Sequence, residues 1–262
     1  MAKASGPPGL INHQSRALRP GRQALSAETA IIPPPDGAWI DAWLSPARLS
    51  RYLAETAGDR QRAIALYEWN AQVSAALQRD LAHLEVGLRN AYDAAATARW
   101  TGPGHWLLND TPTLFAPLLR TKRSGRPGAR TSRQVDINAK PRNLVAKAIH
   151  DAGGPRATAG KVVAELNFGF WRYLSSSAHE KTLWVPLLHG AFPAGANRAY
   201  IDARAGRLHQ LRNRVAHHEP LLRENLRARM SDLLAIAEQL HPQLAAHLDA
   251  TSALPTLIPA QP

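Results

Sequence analysis

Between residues 60 and 100 apolar side chains return every three or four positions: Ile64, Tyr67, Ala71, Leu77, Leu81, Leu84, Leu88 and Tyr92, with no proline and a single glycine, Gly87. That spacing predicts one long amphipathic helix. Ahead of it, Ser45 followed by Pro46 predicts a short helix with the hydroxyl as N-cap and proline in the first turn, and Gly58 with Asp59 closes that helix and opens the long one. "TGPGHW" then breaks the pattern, so residues 101–135 read as a loop. Further helices are expected over about 137–152, 160–177, 197–217 and 222–240, while "TLWVPLLHGAF" reads as a short helix or turn broken at Pro186 and Pro193. Alternation with a period of two runs over no useful length, which predicts no strands. The expected class is all-α, a helical bundle.

The chain ends lack this periodicity. Residues 1–38 hold six prolines and almost no recurring apolar positions, which predicts a disordered arm, and residues 249–262 read as a disordered tail. The folded domain is expected over residues 39–248, with a basic insertion at about 101–135. At 262 residues, 45% of them apolar and 20% charged, the chain can bury one substantial core or two small ones. With no cysteine, disulfide scaffolds and thiolate metal sites are excluded. No segment has the roughly 18 to 20 apolar residues of a membrane span, and the first thirty residues lack the apolar stretch of a secretory signal. The expected location is cytoplasmic, with no membrane partner.

Charge changes the picture. The formal net charge is +12, and residues 120–147 contain nine Lys or Arg against one acid, Asp136. Such a run favours a polyanionic partner. Arg120, Lys122, Arg123, Arg126, Arg130 and Arg133 form either a solvated loop or a clamp on an RNA backbone.

The densest candidate chemistry lies in "LRNRVAHHEP", residues 211–220. At about 100° per residue, Ile201, Leu208, Leu211 and Val215 share the face that packs on the bundle, with Arg212 at its margin. In an undistorted helix His217 points nearly opposite that face, and His218 flanks it on the side away from Arg212. Spacing therefore unites Arg212 with a histidine only if the helix ends near Ala216, as Pro220 favours, or if a second copy of the chain completes the site. An imidazole can exchange a proton near neutral pH, and a guanidinium can hold two phosphate oxygens. RNA brings its own nucleophile, the 2′-hydroxyl, so this pair suffices for phosphodiester cleavage with neither metal nor cofactor. A surface helix whose C-terminal dipole attracts cations gives the same residues without catalysis.

"LHQLRNRVAHHEP" resembles the arginine–polar–histidine signature of the higher eukaryote and prokaryote nucleotide-binding (HEPN) superfamily, in its Abi-like (abortive infection) branch. "HLEVGLRNAYD" at 83–93 and "VVAELNFGFWRYL" at 162–174 resemble further segments of the same family, and the likeness covers about residues 45–240. The resemblance implies a HEPN-like helical bundle, usually dimeric, acting as a metal-independent endoribonuclease in phage defence or as a toxin. It assigns phosphate binding to Arg212, orientation to Asn213 and proton transfer to His217, with His218 second. Some members of the family instead bind RNA or serve as interaction modules without cleaving. Toxins of this kind are normally silenced, so an antitoxin or regulatory partner is expected, though no silencing element is recognisable.

Glu85 falls among Leu81, Leu84, Leu88 and Tyr92, so it is expected to be partly buried and to need a cation. Arg89 is one partner at i,i+4; alternatively Glu85 or Asn90 reaches Arg212 and fixes its direction. Phe168, Phe170, Trp171 and Tyr173 offer either core or base-stacking surface, with Trp171 the expected exposed member, while Trp69 is expected in the core. Glu219 is the only acid beside the histidines, and no metal site is expected.

Overall fold

The computed structural model describes residues 33–108, 114–124 and 131–262. The proline-rich arm through residue 32 lies outside the described residues. The described chain is mostly helical. Helix α1 (Ala38–Leu44) meets α2 (Pro46–Glu55) at Ser45, which does not cap α2 with its hydroxyl as expected. It takes a left-handed φ of 61° instead, and its N–H closes α1 on the Asp41 carbonyl at 3.1 Å. Gly58, at φ 85°, lets the chain reverse into α3 (Arg60–Arg99), where the Asp59 carboxylate accepts from the Arg62 N–H at 3.0 Å. Asp36, placed in the arm by sequence, ion-pairs with Arg60 at 2.8 Å.

Helix α3 is the spine. Its 40 residues extend roughly 60 Å, and Ile64, Leu77, Leu81, Leu84, Leu88 and Tyr92 are all buried along it. Around it pack α4 (Ala139–Asp151), α5 (Ala159–Glu165), α6 (Phe168–Leu174), a π-helical segment (Glu180–Leu188), α7 (Arg198–Ala216), α8 (Leu226–Leu240), α9 (Pro242–Thr251) and α10 (Leu254–Leu257). The helix expected over 160–177 is two helices, because the Asn167 side chain caps the second by accepting from the Phe170 N–H at 3.1 Å. Among the described residues no helix is long and apolar enough to cross a membrane.

Two further expectations fail. The first is the absence of strands: β1 (Leu119–Ser124) and β2 (Thr131–Asp136) form an antiparallel hairpin running from Leu119 opposite Asp136 to Ser124 opposite Thr131. Period-two alternation arises when one strand face is buried. Arg120, Lys122, Arg133 and Gln134 are all exposed, so the sequence carries no such mark. The supposed loop is also anchored at both sides of the hairpin. Trp106, Leu107 and Phe115 are buried, and Asp136 accepts at 2.9 Å from each of the Leu118 and Asn138 N–H groups while pairing with Arg142. The Arg142 guanidinium, aided by those amides, holds the Asp136 carboxyl below the usual carboxylate range.

The second is the tail. Leu254 and Leu257 are buried, and the Leu257 carbonyl accepts from Trp69 Nε1 at 2.7 Å. Ser252 Oγ donates to the buried Asp80 at 2.6 Å. Residues 249–262 therefore belong to the folded body; proline and small residues mimicked a disordered composition.

His179 is fully buried against Phe115 and Tyr173, and burial pushes its imidazole down to about 4. An unfolded histidine titrates near 6.5. Between those values the unfolded chain takes up a proton that the fold resists. Stability held above about pH 6.5 should therefore fall as the pH drops toward 4, by roughly 3 kcal/mol. Urea midpoints at pH 7 and 4.5 check this: His179→Phe keeps the aromatic packing and should flatten the acid limb, and equal acid slopes in both proteins would refute the assignment.

Candidate functional site

The local chemistry at the end of α7 is set by how that helix stops. It ends at Ala216, with His217 as C-cap. The His218 N–H returns to the Val215 carbonyl at 3.1 Å and the Glu219 N–H to the Arg214 carbonyl at 2.9 Å, the paired bonds of a Schellman turn. That turn needs a left-handed residue, and His218 fills it at φ 53° where glycine is usual. The polypeptide thus swings off the helix axis, and both imidazoles are exposed.

Four contacts fix the turn. Arg48 Nη1 on α2 donates to the His218 carbonyl at 3.0 Å, and the buried Asn70 on α3 accepts from the Leu221 N–H at 2.7 Å. Arg214 donates to the Pro220 carbonyl at 2.9 Å and pairs with Glu224. A cavity of about 310 Å³ opens beside the histidines, lined by Ser45, Arg48, Arg51, His217 and His218 among others. A second, of about 450 Å³, shares Arg48 and His218 and reaches Tyr67 and Asn70. The two arginines were not singled out from the sequence. Their only mark there is i,i+3 spacing on a short helix, and Arg48 lies 170 residues from the turn it holds.

Arg212 is half-buried on another side of α7, toward α3 and α6. Its neighbours on α7 are committed: Arg207 Nε donates to Asp232 at 2.8 Å, and Arg214 to Glu224. No such ion pair holds Arg212 among the described residues. It lies within electrostatic reach of Glu85 instead. Burial pushes the Glu85 carboxyl up, and the Arg212 guanidinium, then Arg89 and the Phe168 N–H, oppose that shift. Both cations that the sequence offered to Glu85, Arg212 and Arg89, lie within electrostatic reach of it. Asn90 is exposed and bonds to neither.

Asn213 faces the same side as Arg212. Its amide Nδ2 lies 3.3 Å from His209 Nε2, a bond that requires the neutral ring as acceptor. Burial, with Arg172, Lys140 and Arg212 nearby, lowers the His209 pKa and so favours that neutral form. Gly169 permits the packing, since a Cβ there would come within 2.9 Å of His209 Nε2. His209 was also missed in the sequence; its signal is its position one helical turn before Asn213. Within one chain, then, Arg212, Asn213, His209 and Glu85 make one group, and His217, His218, Arg48 and Arg51 another. The early stop at Ala216 does not by itself unite Arg212 with His217 or His218.

Of the two aromatic alternatives the core one holds for Phe168, Phe170 and Trp171, and the expected exposure of Trp171 is corrected. Phe168, Phe170 and Trp171 are buried, with Trp171 Nε1 donating to the Leu166 carbonyl at 3.0 Å, and the Tyr173 hydroxyl donates to the Ile137 carbonyl at 2.7 Å. The three buried rings offer no face to a base, and Tyr173 is half-buried. Trp69 is buried too. The most exposed large rings among the described residues are Trp39 and Trp43 on α1, at 49% and 51% exposure. Of the basic run, Arg120, Lys122 and Arg123 lie on β1 and Arg133 on β2, while Arg126 and Arg130 are outside the described residues. Lys122 stands directly opposite Arg133. Like charges paired across a hairpin destabilise it unless an anion lies between them.

No protein-family model, characterised protein or solved structure matches this chain.

Proposed function

We propose that the protein is a metal-independent endoribonuclease of the Abi-like HEPN kind, dimeric, acting in phage defence or as a toxin. The observation that carries this reading is the Schellman turn, which presents His217 and His218 to solvent beside Arg48 and Arg51. An imidazole there takes the proton of an RNA 2′-hydroxyl as its oxygen attacks phosphorus. The 5′-oxygen leaves with a proton from a second acid, leaving a 2′,3′-cyclic phosphate and a 5′-hydroxyl end. Arg212, uncommitted to an ion pair and directed by Glu85, supplies the charge that stabilises the crowded phosphate. Since Arg212 and His217 belong to different groups within one chain, the arginine comes from the partner copy. The exposed Lys122 and Arg133 draw the RNA backbone to the hairpin.

The separation of Arg212 from His217 in one chain also favours a second reading, a HEPN module that binds RNA or protein without cutting. Incubating the full chain with single-stranded RNA in EDTA separates the two. Cleavage to cyclic-phosphate ends is expected, and His217→Ala should lower its rate about 10²- to 10⁴-fold. RNA left intact by the parent protein would leave the binding module.

A further inference from the structure

The face joining α1, α2 and the α7 turn carries more than the histidines. Trp39 and Trp43, one helical turn apart on α1, stack at 5.6 Å between centroids with planes 15° apart, and each leaves about half its surface in solvent. Trp43 meets Tyr67 in a T-shaped contact with centroids 5.4 Å apart. Tyr67 in turn lines the cavity that holds Arg48 and His218, and those two also line the cavity of Arg51 and His217. The surface thus runs without interruption from two indoles, through a phenol ring, to two guanidiniums and two imidazoles. Each cavity is of the size that takes a small-molecule ligand or a single nucleotide.

Charge selects the occupant. The carboxylates at the start of this corner, Asp36 just before α1 and Asp41 on it, are both held by Arg60. Glu55 on α2 is held by Arg223, and Glu219, the carboxylate in the histidine cavity, leans toward Arg214 at 3.6 Å. Arg51 is exposed, and Arg48 has spent one N–H on the His218 carbonyl. Exposed aromatic rings beside unneutralised guanidiniums suit a strand that offers bases and phosphates alternately.

We infer that the α1–α2 corner is a nucleotide subsite for single-stranded RNA, with Arg48 and Arg51 on a phosphodiester next to His217 and His218 and Trp43 stacking the adjoining base. This rests on the RNA reading of the same site, but binding can be measured apart from cleavage. A stacked base is sequence-tolerant, because every base has a π face, so the subsite orders the strand without selecting its sequence.

The test uses the full chain carrying His217→Ala, so that bound RNA is not consumed, and anisotropy of a labelled oligoadenylate against an abasic ribose-phosphate oligomer of equal length. Trp43→Ala should weaken oligoadenylate binding roughly tenfold and leave the abasic oligomer unchanged, with Trp43→Phe retaining most of the affinity. Arg51→Ala should weaken both and reduce the slope of log affinity against log salt by about one. If the His217→Ala protein binds oligoadenylate and neither Trp43→Ala nor Arg51→Ala changes that binding, the subsite is overturned while the RNA reading stands. If Trp43→Ala changes the oligomeric state and not the affinity, the indoles face a second copy and the subsite is likewise overturned. Absence of RNA binding by the parent overturns both.

Discussion

Mixing Arg212→Ala protein with His217→Ala protein, each inactive alone, should restore about a quarter of the parental RNA cleavage if subunits exchange freely in a two-fold dimer. The figure follows from symmetry. Half the dimers would pair one variant with the other, and in each of these one of two sites joins the intact arginine of one subunit to the intact histidine of its partner. Each variant alone should lose about 10²- to 10³-fold or more, the cost of removing one group aimed at the reacting phosphate. The physical ground is the direction of the two side chains in one protomer. Arg212 lies toward Glu85 and α6, while the Schellman turn carries His217 toward α2. If the site were built within one chain, no mixture would recover activity. Exchange is checked by following differently tagged subunits, so a failure to mix is not read as a failure to complement.

The parts legible in the sequence are those where one physical signal dominates. Helix α3 and the packing face of α7 could be read because each buries a stripe of apolar residues at helical spacing, as Leu84 and Leu88 or Leu208 and Val215 do. The hairpin could not be read, because both of its faces are wet and pairing left no alternation around Lys122 or Arg133. The break between α5 and α6 rests on one side chain, Asn167, whose capping bond has no periodic signature. In the candidate site, Arg212 and the histidines stood out by residue type and spacing, but their directions depend on a single left-handed residue at His218. Arg48, Arg51 and Trp43 come from a distant stretch of chain; the packing of α2 against α3 brings the two arginines to the α7 turn, while Trp43 packs on Tyr67. Composition misled in the tail, where a few apolar residues among prolines proved sufficient to dock.

Removing the chain after residue 250 should therefore destabilise the protein by roughly 5 kcal/mol, a large share of the about 5–15 kcal/mol that holds a typical domain. Two leucines dominate the loss. Leu254 and Leu257 are almost completely buried, and returning each to water costs about 1.5–3 kcal/mol. Their departure also leaves Trp69 Nε1 without the Leu257 carbonyl, and an unmatched buried donor costs about 1–3 kcal/mol. Asp80, buried on the same helix, loses Ser252 and keeps only the Arg79 contact at 2.8 Å. Part of the sum is recovered as the exposed groove rehydrates, which keeps the net figure below the total of its parts. Leu257→Ala isolates one piece and should cost about 2–5 kcal/mol, read as a lowered urea midpoint with an unchanged slope. A truncated chain that unfolds at the parental midpoint would show that the tail rests on α3 without supporting it. Because α3 also carries Asn70 and Glu85, the same truncation should loosen the α7 turn, so histidine-dependent RNA cleavage should fail at a lower temperature than in the full chain.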